Sequence, residues 1–354
     1  MAQSDVKHVG FPLITNYAPS EYRSHVQNWD FAMDDDGLLY VANTAAVVIY
    51  NGISWQLIYV PNSRVFSLAY HHDQRVYVGG LNEIGFVSHR EELPVKSDAS
   101  MHYQSLTHLL PDDLDIGIVW NTHSVGDFVY FVTQSHLMIY DGSTIVVHQA
   151  EFTFSNIFQF QESVIIRDGS TNAYIVEHSE LIDWDHQSFT EQNSIRDHTT
   201  INGTQTYCSM SQCFQFRNNA FEPFKTEVDA YLSQHAIHKI ITLSDGTVLF
   251  ATRRGGIVHI NPDGSLIQIL DESLGLRSSV IYGIFEDPTG SVWLGTIDGI
   301  SRVDLGLPIR IFDERSGITE PITRISHLGN QLFVATRSGI YKKTSTINPL
   351  NTSF

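Results

Sequence analysis

Apolar and polar positions alternate over short runs along this chain, and turn residues cut the runs at nearly regular intervals. The clearest stretch is 280–303, VIYGIFEDPTGSVWLGTIDGISRV. Period-two alternation sends successive side chains to opposite faces of a strand, so the stretch predicts strands over 281–286, 291–295 and 300–303. The turns fall at 287–290 and 297–299, where Pro fixes φ and Gly supplies a left-handed position. The β-branched and aromatic residues between them suit a half-buried pleated surface. One such meander cannot bury both of its own apolar faces and needs neighbours.

The chain supplies them. The pattern recurs at 237–260 (IHKIITLSDGTVLFATRRGGIVHI) and 322–343 (ITRISHLGNQLFVATRSGIYKK), more loosely at 29–50, 65–87 and 119–140, and in degenerate form at 154–176 and near 199–216. Marking the end of each second strand gives Asn43, Gly80, Thr133, Arg167, Ser209, Thr252, Thr296 and Thr336, with gaps of 37, 53, 34, 42, 43, 44 and 40 residues. That is the period of a four-stranded propeller blade. The expected fold is therefore an all-β propeller of seven or eight four-stranded blades in one domain over 1–354, with the end of 322–354 also readable as a linker. Segment 10–16, GFPLITN, has no partner beside it in sequence, and its analogue 306–313, GLPIRIFD, stands where an outer strand should follow 280–303. A ring is commonly locked by an N-terminal strand, since an open edge exposes unpaired backbone groups. Segment 10–16 is expected to complete the unit 322–343.

Charge narrows the function classes. Against 21 Lys and Arg stand 39 Asp and Glu, a formal net charge of −18 in 354 residues, and no basic run exists to neutralise phosphates, so this domain is not expected to bind nucleic acid unaided. No apolar run reaches the ~20 residues of a membrane span. The opening Met1-Ala2-Gln3-Ser4 reads either as an initiator Met before the mature end left by a removed secretory signal, or as an ordinary cytosolic N-terminus. Asp34-Asp35-Asp36-Gly37 lacks the alternating ligands and distal Glu of a calcium loop and reads as a hairpin cap. His residues are scattered without metal-ligand spacing, and no nucleophile elbow, phosphate loop or dinucleotide fingerprint is present. No catalytic residue, metal or cofactor is assigned.

What the repeat register offers is a rim. The loops leading into inner strands and those joining second to third strands gather on one face of a propeller. From the first kind come Trp29, Trp120, Asn121, His123 and Arg324, with His238 and Tyr282 at similar places. From the second come Asn82, Glu83, Arg253, Arg254, Asp298 and Arg337. Aromatic, amide and guanidinium groups stack on sugar faces or grip carboxylates; singly, each also serves as blade filler, turn cap or ion-pair partner. Arg253, Arg254 and Arg337 follow matching second strands and are expected on one face. Cys208 and Cys213, in TYCSMSQCFQF, flank a second-to-third turn and are placed for either a disulfide or two buried thiols. The insertion 88–117 lengthens one unit and reads as a decorated loop.

The units VIYGIFEDPTGSVWLGTIDGISRVD, HKIITLSDGTVLFATRRGGIVHINPDG and SLAYHHDQRVYVGGLNEIGFV resemble the two-component-regulator propeller repeat, and residues 16–55 resemble the start of periplasmic sensor regions built from it. The resemblance implies a non-catalytic, ligand-sensing module on the periplasmic or extracellular side of a membrane, part of a longer receptor with a cytoplasmic output. It implies a small-molecule or oligosaccharide ligand, the rest of that receptor as partner, room for a homodimer, and, since such regions carry propellers in series, a reading of 322–354 as the first unit of a second ring. A propeller enzyme, lyase or glycosidase, and a protein-binding scaffold propeller are the alternatives.

Overall fold

The structure is a computed structural model that describes residues 11–89, 101–169, 172–177, 179–311, 318–329 and 331–342. Seven four-stranded antiparallel sheets form the ring. Six are consecutive in sequence, covering 28–58, 65–105, 121–149, 154–183, 197–224 and 237–270; these are blades 1 to 6. Blade 7 takes three strands from 281–304 and its outermost strand, Leu13–Tyr17, from the other end of the chain.

This corrects the expected seam. The N-terminal strand closes the ring, but on blade 7, with Leu13 opposite Asp304 and Tyr17 opposite Ile300. Of segment 306–313, the described residues 306–311 supply no strand there; Ile311 makes an isolated bridge to Phe11. The strand fits because Tyr17 enters an aromatic cluster with Trp293, Tyr50 and Trp55, rings of blades 7 and 1. Asn16 accepts from Ser301 Oγ at 2.6 Å and donates to the Gly275 carbonyl at 2.9 Å. Residue 10 and the tail 345–354 lie outside the described residues.

Nor is the eighth unit a blade. Arg324–Leu328, Gln331–Ala335 and Ile340–Lys342 form a separate three-stranded sheet, whose small core, Ile318, Leu332 and Val334, comes from its own residues. Every residue of Arg324–Leu328 is exposed, where the matching inner strands of the ring are largely covered.

Second strands such as Leu39–Asn43, Val248–Thr252 and Val292–Thr296 are buried at every position. Sandwiched between blades on both faces, they read as continuous apolar runs rather than alternation. The clusters between blades are continuous: Leu249 and Ala251 of blade 6 pack with Ile284 and Leu294 of blade 7, and Val47 and Ile49 of blade 1 with Val76 and Val78 of blade 2. The hairpin caps behave as their composition predicts. Asp34 accepts from Asp36 and Leu38 amides and from Tyr40; Asp287 accepts from the Thr289 amide at 2.9 Å and Trp293 Nε1 at 2.8 Å. Cys208 and Cys213 stand opposite each other in blade 5 and form a disulfide. Of the insertion 88–117, Leu109, Leu110 and Leu114 pack on the cluster between blades 2 and 3, while 90–100 lie outside the described residues.

Candidate functional site at the mouth of the channel

The rim is built by a recurring backbone clip. In blades 1, 2, 4, 6 and 7 the residue after the second strand bonds the carbonyl before the inner strand: Thr44 to Gln27, Leu81 to Arg64, Gly169 to Thr153, Arg253 to Ala236 and Ile297 to Val280. Loops of both kinds are thereby tied on one face.

At that face the inner strands carry a second recurrence. Blades 1, 2, 4, 6 and 7 each slip one residue out of register at the top of the inner strand, and the extra residues are Trp29, Phe66, Ser155, His238 and Tyr282. In blades 3 and 5 the ladder starts at Asn121 and Asp197, so Trp120 and Arg196 hold the equivalent place, their amides bonded to Val132 and Cys208. A bulge leaves its residue unpaired and re-aims the side chain. One residue per blade is thus turned toward the axis.

The ring has two halves. On one side Trp29 stacks on Tyr282 at 4.4 Å, Phe66 lies 5.3 Å from Trp29 and 5.0 Å from Trp120, and Trp29 meets Trp120 edge-on at 6.2 Å. Trp29 and Trp120 belong to non-adjacent blades and can meet only near the axis. Trp120 keeps 42% of its surface exposed.

On the other side Arg196 packs its guanidinium on Met210 Sδ at 3.6 Å, and the Met210 carbonyl accepts from the Ile237 amide at 2.8 Å, which brings blade 5 against His238. Arg253 flanks His238 from the next loop. Burial, then Arg253 and Arg167, hold the Arg196 guanidinium below its ordinary value. Burial, then Lys239, Arg253 and Arg196, push His238 down to about 3 against the opposing effect of a hydrogen bond to the Tyr282 backbone, so its imidazole is neutral. His238 Nδ1 and Ser155 Oγ are buried without a hydrogen-bond partner. None of the ion pairs among the described residues uses Arg196 or Arg253.

Directly beneath lies a charged layer. Lys239 of blade 6 reaches Asp30 of blade 1 at 3.3 Å, passing Gly283 of blade 7, where a Cβ would come within 2.9 Å of the Trp29 carbonyl oxygen. Asp30, then Asp197, raise the Lys239 ammonium above its ordinary value against the opposing effect of burial. The other Asp30 oxygen accepts from the Leu68 amide, and the two Asp197 oxygens accept from the His198 and Ile240 amides. Lys239 and Asp30 remain 34% and 18% accessible: they are enclosed by the ring yet keep part of their surface in reach of water. His123, lower in blade 3, is pushed down to about 3 by burial, then by His198 and Lys239.

Residues 275–298 match the family described as Two component regulator propeller. That segment of blade 7 carries the two-component-regulator propeller repeat. Among solved structures it is similar to the extracellular domain of a protein described as the hybrid two component system BT3049 from B. thetaiotaomicron, at 14% identity and TM-score 0.68, covering 93% of this chain and 49% of that one. The extracellular domain described for BT4673 of the same organism gives 15% identity and TM-score 0.61, covering 96% and 46%. The chain therefore spans about half the length of these domains. A streptogramin B lyase shares the fold at 11% identity and TM-score 0.64, covering 84% and 98%. No curated protein matches the sequence.

Within this propeller, the sequence-selected residues separate sharply. Trp29, Trp120, Asn121, His123 and Arg253 lie in or beside the mouth. Asn82 and Glu83 do not: Asn82 accepts from the Gly117 amide at 2.6 Å, and Glu83, buried and with its carboxyl pushed up by burial, accepts from Tyr103 and Ser105. Asp298 is held by Arg277, through an ion pair at 3.4 Å. Arg254 is exposed and donates to the Gln234 carbonyl. Arg324 and Arg337 stand on the separate sheet, so matching register did not place Arg337 beside Arg253. Arg196, Ser155, Phe66, Asp30, Asp197 and Lys239 were not selected. The triplets Asn28-Trp29-Asp30, Val65-Phe66-Ser67, Ile237-His238-Lys239 and Ile281-Tyr282-Gly283 hold the signal: one bulged and one axial residue per unit.

Proposed function

We propose that this chain is an extracytoplasmic, non-catalytic sensing propeller of a bacterial signal-transduction receptor, and that its ligand binds at the channel mouth. The observation that carries the reading is the half-aromatic, half-basic ring, with two buried polar atoms that have no protein partner and an exposed Trp120. Buried polar atoms are ordinarily satisfied, and concave sites with an apolar wall and a few convergent polar groups are where small molecules bind. The repeat match and the two B. thetaiotaomicron domains support the receptor context. A ligand with different affinities for two packings or dimer arrangements would bias the attached output.

The test is a thermal-shift screen of glycans, peptides and organic acids, repeated with Trp120→Ala. A stabilising ligand whose effect is lost in the variant, and which is recovered chemically unchanged, supports the reading. Hits untouched by Trp120→Ala would remove the mouth as the site. Release of new reducing ends from oligosaccharides would make the domain an enzyme.

A further inference from the structure

We infer that the basic half of the mouth, formed by Arg196, Arg253, His238 and Ser155, is a subsite for the carboxylate and hydroxyls of a hexuronic acid unit, whose apolar ring face lies against Trp120 and Trp29. The inference rests on the mouth being the ligand site and adds the ligand's chemistry.

The charge argument comes first. In a chain of net charge −18, two guanidinium groups converging beside one buried imidazole, away from the ion pairs that hold Arg75, Arg277 and Arg302, make a local excess of positive charge. Arg196 and Arg253 stand on adjacent blades, on either side of His238, and use none of the described ion pairs. Both are exposed at the mouth. Two forks of donors with no carboxylate partner among the described ion pairs, one of them touching only the soft Met210 sulfur, suit a planar carboxylate, which takes parallel N–H bonds. The two acids beneath do not fill this role, being engaged with Lys239 and backbone amides.

The neutral polar groups select what carries the carboxylate. His238 Nδ1 and Ser155 Oγ are buried and unpartnered; a hydroxyl both donates and accepts, so vicinal hydroxyls satisfy both atoms. The opposite wall, with Trp120 edge-on to Trp29, offers an aromatic face for the C–H side of a pyranose ring. A large polyanion such as nucleic acid is disfavoured by the net charge of the domain.

The experiment is calorimetric titration of the whole chain at low salt with D-glucuronate and D-galacturonate, against D-glucose and benzoate. Uronates are expected to bind more tightly than glucose, and Arg196→Gln and Arg253→Gln each to weaken them by about tenfold or more, the loss expected for a charge-assisted hydrogen bond, with melting temperatures unchanged. Affinity should fall with added salt. The His238 imidazole, followed by NMR, should gain basicity in the complex as the anion offsets the guanidinium field. Arg254→Gln should bind like the parent. Equal binding of glucose and glucuronate, both lost in Trp120→Ala, overturns the anion subsite and leaves the mouth as ligand site. Uronate binding indifferent to Trp120 and to both arginines overturns both readings. Benzoate as tight as glucuronate, or no uronate binding at millimolar concentration, overturns the uronic acid assignment.

Discussion

Replacing Tyr17 by alanine attacks the ring at its seam. The Tyr17 ring stacks on Trp293 at 5.6 Å with a 14° interplanar angle, meets Trp55 edge-on at 5.3 Å and lies 5.9 Å from Tyr50. It is half-buried, so truncation returns roughly 100 Å² of apolar surface to water, ~2.5 kcal/mol at ~25 cal/mol per Å². The lost ring–ring geometry adds ~0.5–1.5 kcal/mol, for a total of ~3 kcal/mol. Tyr17→Phe keeps the stack and should cost well under that. Deleting 1–17 also removes the five-residue ladder with blade 7 and both Asn16 bonds and should cost more than Tyr17→Ala. Ending the chain after residue 311 should leave the melting transition nearly unchanged, because the three-stranded sheet keeps its core to itself. Burial, then the hydrogen bond with Tyr50, push the Tyr17 hydroxyl up to about 12. Its folded pKa is raised, so this contribution is complete below the unfolded value near 10 and is lost as pH rises toward 12; Tyr17→Phe should remove that alkaline slope. Urea unfolding followed by tryptophan fluorescence measures all four proteins. If Tyr17→Ala unfolds like the parent while the 1–311 chain loses as much as the N-terminal deletion, closure runs through the C-terminal unit and the seam argued here is wrong.

Lys239→Met leaves the carboxylates of Asp30 and Asp197 facing the channel without their cation; after discounting for partial exposure, ~2–3 kcal/mol should be lost, and adding Asp30→Asn should restore part of it, with simple additivity counting against the charged layer. His123 and His238 are held near 3, below the unfolded value near 6.5. The unfolded chain therefore takes up protons the fold refuses, and stability should decline as pH falls from about 6.5 to about 3, with a shallower decline in His238→Gln; a flat profile would contradict burial as the cause. Reducing the Cys208–Cys213 disulfide, which closes a short loop, should cost ~2 kcal/mol, and unreduced denatured protein should titrate no free thiol.

Much of the ring was legible because its causes are local. Alternation and Asp and Gly at hairpin turns belong to each unit separately, and each unit needs neighbours for the same reason, so 280–303 predicts a meander and its recurrence near every forty residues predicts the propeller. The aromatic half of the mouth was also legible, since Trp29 and Trp120 are large residues at recurring places. What the sequence could not rank was competition between distant pairings. Leu13–Tyr17 and 306–313 carry similar patterns, and the aromatic pocket of Trp293, Tyr50 and Trp55, which exists only once blades 7 and 1 meet, decided which strand closes the ring. The same holds for charge. Arg253 and Arg337 follow equivalent strands, yet only Arg253 has a ring around it. Arg196 lay hidden in a degenerate unit until the ladder of blade 5 began at Asp197 and turned it to the axis. Register within a unit is a property of the unit; which side chains share the axis depends on where the ring closes, because only closure brings non-adjacent blades together.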